Sequence, residues 1–348
     1  MLKYRDRNKD RKKAKESDPV IVFVKTFVAA FLIITVVLTP VFAMINSVNE
    51  LLDSTPGGDD IPILEQELDY LISPDNPFFD AFTTANRVNI LLIGVDHHNL
   101  TDTIMLASYD LDLKYIDLIS IPRDTYYYRG PNYIDDAHHK INAVYMRNPV
   151  NTAKAVSEIL MDIPINYYVQ ISYEGVANIV ESMGGVPMDI PFHMRYDDPY
   201  DRPPLRIDIP AGPQTLNGEQ SVQFLRFRTG NSGYRGYPEG DLERVRVQQQ
   251  FMKSALRQCL TFDLPTIIST AYDNVQSDIT MRTALYLATR AVGMSADDIT
   301  TYTLPNRYLG AFVRPDMEGI AAMLTEIYTR GNAPDPSDTG DIYYIKPH

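Results

Sequence analysis

Asp96 and Asp102 stand six residues apart, the first closing the apolar run Val88–Val95 and the second inside Leu100-Thr101-Asp102-Thr103. Two carboxylates at strand ends, joined by a short loop, can face one crevice and hold a hard divalent cation such as Mg²⁺. Aspartates are common in turns for other reasons, so the pair gains meaning only from cations beside it. Arg123 supplies one, in Ser120-Ile121-Pro122-Arg123-Asp124-Thr125 at the end of a second apolar run. A guanidinium at the carboxyl edge of a sheet is placed to meet an anion there. Arg226 and Arg228 supply two more, in Phe224-Leu225-Arg226-Phe227-Arg228. Extended backbone puts both on one face, whereas a helix spreads them by about 200°. A joint grip on phosphate oxygens therefore leads us to expect extended backbone.

The fourth group is Asp241, Arg244 and Gln248. On a helix these fall within about 60° of one another, while Arg246 points away. Asp241 also suits a helix N-cap, a role compatible with holding Arg244. Other signals are weaker. His97-His98 and His138-His139 lack zinc-type spacing and read as solvated loop residues. Tyr126-Tyr127-Tyr128 could stack on sugars, although tyrosine on a half-buried sheet is the commoner reason for such a run. No Walker loop, G-x-S-x-G elbow or H-E-x-x-H motif is present.

These residues need a scaffold. Strands are expected at Val88–Val95, Thr103–Tyr109, Tyr115–Ile121, Tyr167–Ile171, Val186–Ile190 and Leu205–Ile209. Helical spacing occupies Asn151–Met161, Tyr173–Met183, Leu242–Leu260, Met281–Val292 and Asp316–Tyr328, with Gly184-Gly185 as a stop. The interleaving predicts a single layered α/β/α domain with a mixed central sheet, over residues 87–348.

Of 348 residues 45% are hydrophobic and 22% charged, a globular composition, and the formal charge of −13 argues against a nucleic-acid partner. One cysteine, Cys259, excludes an internal disulfide. The charge is unevenly spread: residues 1–25 carry nine Lys/Arg against four Asp/Glu, and the rest of the chain is at −18. Residues 26–49 are free of formal charge. At ~1.5 Å per residue that is long enough to cross a hydrocarbon core of about 30 Å. An uncleaved anchor is expected in preference to a signal peptide. The basic flank sets the N-terminus in the cytoplasm and the C-terminal domain outside. The acidic, proline-containing stretch 50–86 reads as an extracellular stalk with a short helix near Ile63–Leu71.

Ile90–Asp96, Thr101-Asp102-Thr103, Ser120–Thr125, His139-Lys140-Ile141-Asn142-Ala143, Gly184-Gly185-Val186, Leu216-Asn217-Gly218-Glu219, Arg226-Phe227-Arg228 and Asp241–Gln249 occur in one order. That order resembles the LytR-CpsA-Psr (LCP) family of cell-envelope proteins, over roughly residues 88–260. The resemblance implies a single-pass membrane phosphotransferase that moves a glycopolymer, teichoic acid or capsule, from an undecaprenyl-pyrophosphate carrier onto peptidoglycan. It implies Mg²⁺ at Asp96 and Asp102, catalytic roles for Arg123, Arg226, Arg228, Arg244 and Asp241, and substrate binding by Gln248, Lys140 and Asn142. Pyrophosphatase activity would accompany such chemistry. The chain departs from the pattern at Leu100 and Val247, where Arg is frequent, in a short Asp96–Asp102 loop, and in the insertion Thr229–Gly240. Leu100 favours the alternative, a regulatory protein that binds polyprenyl pyrophosphate without turning it over. A plain surface sensor is a third reading.

Overall fold

The computed structural model describes residues 75–79, 86–96, 100–201, 204–231, 233–238, 241–261, 264–309 and 312–330. The expected tail at 1–25, span at 26–49, stalk helix and His97-His98 lie outside them. Among the described residues no helix is long and apolar enough to cross a membrane.

The strands are β1 (Arg87–Val95), β2 (Thr101–Asp110), β3 (Tyr115–Ser120), β4 (Tyr167–Ser172), β5 (Val186–Ile190) and β6 (Met194–Asp198). They continue with β7 (Leu205–Ile209), β8 (Gly212–Leu216), β9 (Val275–Ser277), β10 (Ile299–Thr303), β11 (Asn306–Leu309) and β12 (Phe312–Pro315). The helices are α1 (Pro149–Ile159), α2 (Tyr173–Ser182), α3 (Gly218–Arg226), α4 (Asp241–Thr261), α5 (Leu264–Asn274), α6 (Met281–Arg290) and α7 (Met317–Tyr328).

A six-stranded sheet runs β10-β3-β2-β1-β4-β9. β1 pairs antiparallel with β2 and parallel with β4, and β10 runs parallel to β3, so the sheet is mixed as expected. Central β1 is apolar on both faces: Leu91 and Ile93 pack under α1 and α7, whereas Val88 and Ile90 turn toward α6. With the Leu91 face buried and the Val88 face half-buried, β1 from Val88 onward stands out as a run that is apolar but for Asn89. On the α6 side α4 also binds the sheet. Buried Gln249 of α4 donates to Ser120 Oγ at 3.0 Å and to the Tyr302 carbonyl at 2.7 Å, clasping the ends of β3 and β10.

Under α7 lies a buried charged network. Arg87 reaches Asp110 at 3.2 Å and Asp117 at 3.1 Å, and Arg330 meets the other Asp117 oxygen at 2.8 Å.

A second core gathers away from the sheet, where the ribbons β5/β8 and β6/β7 meet α2, α3 and α4 around Phe224, Phe227, Val186 and Phe251. α2 ends as the glycines predicted. Gly184 and Gly185 adopt φ of 74° and 94°, and their N–H groups cap the carbonyls of Glu181 and Val180. Helix α3 was not expected. Asn217 and Gln220 form a reciprocal capping box, and a Cβ on Gly218 would sit 2.3 Å from the Ala177 carbonyl oxygen, so only glycine lets α3 start against α2.

Candidate active site

Several chain segments meet at one edge of the sheet. Val95 of β1 lies opposite Ser172 of parallel β4, so the residues that follow, Asp96 and Tyr173, emerge as neighbours. Antiparallel β2 starts at this same edge. Its register slips there: Gly94 faces Thr103 but Val95 faces Thr101, leaving Asp102 as the extra residue. A bulge of this kind re-aims a side chain, and Asp102 enters a cleft. Arg123 follows three residues after the end of β3 and enters the same cleft.

Arg123 Nη1 donates to Asp102 Oδ1 at 2.7 Å, with the two side chains 22% and 26% exposed. Asp102 Oδ2 accepts from the Tyr173 hydroxyl at 2.9 Å. Burial, reinforced by the Asp102 charge, pushes the Tyr173 phenol well above its ordinary value, so it remains a proton donor. The Arg226 guanidinium lies 4.7 Å from the Tyr173 ring centre and pairs with Asp201. Asp96 is fixed differently: its Oδ1 accepts from the Leu100 N–H at 2.8 Å, and its own N–H donates to the Leu100 carbonyl at 3.0 Å.

The cleft encloses about 630 Å³. Helix α4 lines it with Arg244, Gln248, Phe251, Met252, Ala255, Leu256 and Cys259. Spacings of three and four put these on one helix face. The first two are polar and the rest apolar or weakly polar. At ~1.5 Å per residue the stripe spans about 22 Å. Leu92 and Met105 from the sheet, Val176 and Ile179 from α2, Met183 just after it, and Leu225 from α3 continue the apolar wall. The polar end is formed by Asp96, Asp102, Arg123, Tyr173, Asp198, Asp201, Arg226, Arg228, Arg244 and Gln248. The arrangement suits an amphiphile with a charged head and a long apolar tail.

Seven of the expected site residues thus converge: Asp96, Asp102, Arg123, Arg226, Arg228, Arg244 and Gln248. Asp241 is the first residue of α4, and its side chain lies outside the described residues. Lys140 and Asn142 do not line the cleft. Lys140 pairs with Asp124 at 2.7 Å, and the Asn142 N–H donates to the Arg123 carbonyl at 3.2 Å, so both brace the segment that carries Arg123.

Three local expectations are corrected. Phe224–Arg228 is not extended: α3 runs through Arg226, and the chain becomes extended at Phe227 (φ −63°, ψ 132°). Phe224 and Phe227, both 1% exposed, anchor this turn in the second core. The change of direction at Phe227 removes the angular divergence of a continuous helix, and both arginines still reach the cleft. His139 is not solvated: it is buried and stacked on Tyr128. Tyr126–Tyr128 lie in a loop rather than in a sheet strand. Tyr173, Asp198 and Asp201 were missed, because nothing in their local sequence separates them from surface or core residues.

The cleft lining holds four arginines and four aspartates, so its side chains are formally neutral. A pyrophosphate brings surplus negative charge that a divalent cation would offset. Among the described residues no group of three or more His, Cys, Asp or Glu forms a metal cluster. Two hard carboxylates, Asp96 and Asp102, fit the alternative in which phosphate oxygens and water complete an Mg²⁺ sphere.

The LytR_cpsA_psr family model matches residues 67–325. A polyisoprenyl-teichoic acid–peptidoglycan teichoic acid transferase, TagU of Bacillus cereus (strain AH820), is 28% identical over 209 residues, covering 58% of this chain and 63% of that protein. TagV of Bacillus subtilis (strain 168), with the same activity in its name, is 24% identical over 258 residues, covering 67% and 64%. The match therefore spans just under two thirds of these relatives' length. The fold is shared with the B. subtilis TagV crystal structure (TM-score 0.58, 23% identity, covering 73% of this chain and 100% of that one). It is shared too with a LytR-Csp2A-Psr enzyme from Actinomyces oris (TM-score 0.56, 21% identity, 70% and 92%).

Proposed function

This chain belongs to the LytR_cpsA_psr family, and from that premise we propose that it is a glycopolymer–peptidoglycan phosphotransferase using an undecaprenyl-pyrophosphate-linked donor. The observation that carries the reading is the convergence of Arg123, Arg226, Arg228 and Arg244 at the polar end of an otherwise apolar cleft. Such a cleft takes a pyrophosphate at one end and a polyprenyl tail along the other. Residues 26–49 would anchor the chain in the cell membrane, N-terminus inside and transferase domain outside.

Phosphoryl transfer needs positioning and charge stabilisation more than covalent help. An acceptor sugar hydroxyl attacks the sugar-linked phosphorus and an O–P bond forms. The P–O bond to the bridging oxygen breaks, and undecaprenyl phosphate leaves with the electron pair. The acceptor proton passes to a carboxylate, Asp241 or one of the pair Asp96 and Asp102. Forked guanidiniums hold the non-bridging oxygens as charge builds. Asp96 and Asp102 would hold Mg²⁺, which supplies further charge neutralisation. Water in place of the sugar hydroxyl would give pyrophosphatase activity.

The test is full-length protein in detergent with Mg²⁺, lipid-linked glycopolymer and peptidoglycan. Polymer transfer with release of undecaprenyl phosphate is expected, and Arg123→Ala or Arg226→Ala should lower it by about 10²–10³ without changing the melting point. Donor binding without release would instead favour the regulatory reading, and no binding at all the sensor reading.

A further inference from the structure

The tyrosine run after Arg123 forms something the donor cleft does not use. Tyr127 turns inward, packs on the main core and donates its hydroxyl to Glu158 at 2.8 Å. Its neighbours turn the other way and clasp a histidine. The His139 ring lies 5.7 Å from Tyr126 and 5.4 Å from Tyr128, nearly parallel to the latter at 18°. Arg314 caps the Tyr126 side at 5.2 Å. His139 is only 8% exposed, whereas Tyr128 is 59% exposed. A ring that stacks on one face and stays this open presents its other face to water.

The stack is held in place. The Arg129 N–H donates to His139 Nδ1 at 3.3 Å, and the Tyr127 N–H donates to the His139 carbonyl at 2.8 Å. It is also joined to the transfer site. The Ile141 N–H donates to the Thr125 carbonyl at 2.8 Å, and Lys140 pairs with Asp124, so the stack and Arg123 share one braced unit. Tyr128 lies five positions beyond Arg123, no more than about 18 Å of extended chain. A pre-ordered aromatic face loses little entropy when it binds.

We propose that the open face of Tyr128, backed by His139 and Tyr126, is a stacking platform for a sugar ring of the acceptor glycan; this rests on the transferase reading above. Tyrosine offers an apolar face to the C–H side of a sugar ring while leaving the ring's hydroxyls wet. Nearby Asp135 and His138, with side chains 81% and 51% exposed, can bond to those hydroxyls. An anionic lipid surface, which Arg129 and Arg314 beside the stack would suit, is the competing occupant and an arm of the test; the brace shared with Arg123 favours the glycan.

Calorimetric titration of the full-length protein in detergent, with peptidoglycan glycan strands freed of stem peptides, tests this. Tyr128→Ala should weaken glycan binding by about tenfold, the equivalent of ~1.4 kcal/mol. Tyr128→Phe, which keeps the ring, should stay near wild type. Affinity for a polyprenyl-pyrophosphate donor should be equal in all three proteins, which also shows that the variants fold. Unchanged glycan affinity in Tyr128→Ala overturns the platform, as does an equal loss in Tyr128→Phe. A Tyr128→Ala defect confined to sedimentation with anionic vesicles assigns the surface to lipid and also overturns it. Wild-type protein that binds glycan through Tyr128 yet transfers nothing leaves the platform standing and removes the transferase reading.

Discussion

Tyr173 donates its phenolic hydrogen, at 2.9 Å, to the Asp102 oxygen that Arg123 leaves uncovered. The same ring lies under Arg226, so one side chain ties together two of the four arginines. Tyr173→Phe keeps the ring under Arg226 and removes only the hydrogen bond. Loss of a hydrogen bond to a charged group, about 1.5–3 kcal/mol, predicts a fall of roughly 10–100-fold in transfer kcat/KM. Tyr173→Leu should lose more, because Arg226 also loses its support. Steady-state kinetics equal to wild type for Tyr173→Phe would rule out this positioning role.

The network under α7 concerns stability alone. Asp117 is fully buried between Arg87, 2% exposed, and Arg330. Asp117→Ala leaves buried Arg87 with Asp110 as its one remaining carboxylate and should cost at most about 3–5 kcal/mol in denaturant unfolding. Joint replacement of Arg87, Asp110 and Asp117 by apolar residues should recover much of that. A loss below ~1 kcal/mol for Asp117→Ala alone would show that the pair is more hydrated than its geometry indicates.

Cys259 reports on the apolar end of the cleft. Burial pushes its thiol from 9.0 up to about 11. The thiolate is the reactive form, so iodoacetamide labelling at pH 8 should run about 100-fold slower than for an ordinary cysteine. The folded pKa lies above the unfolded one. The stability from burying a neutral thiol is therefore full below pH 9 and lost as pH climbs toward 11. Polyprenyl phosphate should protect Cys259 further. Labelling at the free-cysteine rate, with or without lipid, would remove Cys259 from the wall proposed to hold the tail.

Leu100 is 41% exposed and closes the Asp96 loop through its backbone, so its side chain can change without disturbing the loop's hydrogen bonds. Leu100→Arg adds a cation beside the acidic pair. A gain of about threefold to tenfold in kcat/KM for the donor is expected, the effect of roughly 0.7–1.4 kcal/mol of added charge stabilisation. Slower turnover at unchanged donor affinity would argue that the added charge competes with Mg²⁺.

Much of the site could be read from the chain because its residues follow strong local signals. β1 is apolar on both faces, and the Arg244–Gln248 spacing is helical, so both are visible without tertiary knowledge. Arg226 and Arg228 were found for the wrong reason: alternation suggested a strand, but the capping box at Asn217 and the buried Phe224 and Phe227 impose a helix end. Tyr173 and Asp201 could not be read, because their roles depend on the parallel pairing of β4 with β1 and on a turn between two short strands. The apolar wall of the cleft was equally hidden. Val176 and Met183 line a cleft while Ile320 and Leu324 fill the main core, yet both pairs read as ordinary apolar helix positions.

The stripe along α4 acts as a ruler. Arg244 marks its zero and Cys259 its far end, about 22 Å away along the helix axis. Lipid carriers whose tails fall short of that length leave part of the wall wet, so each added carbon should tighten binding. Beyond it the cleft lining contributed by the described residues of this helix ends, and affinity should level off. On the donor proposed above, the helix would therefore reward tail length up to that distance and remain indifferent to how much further the tail extends.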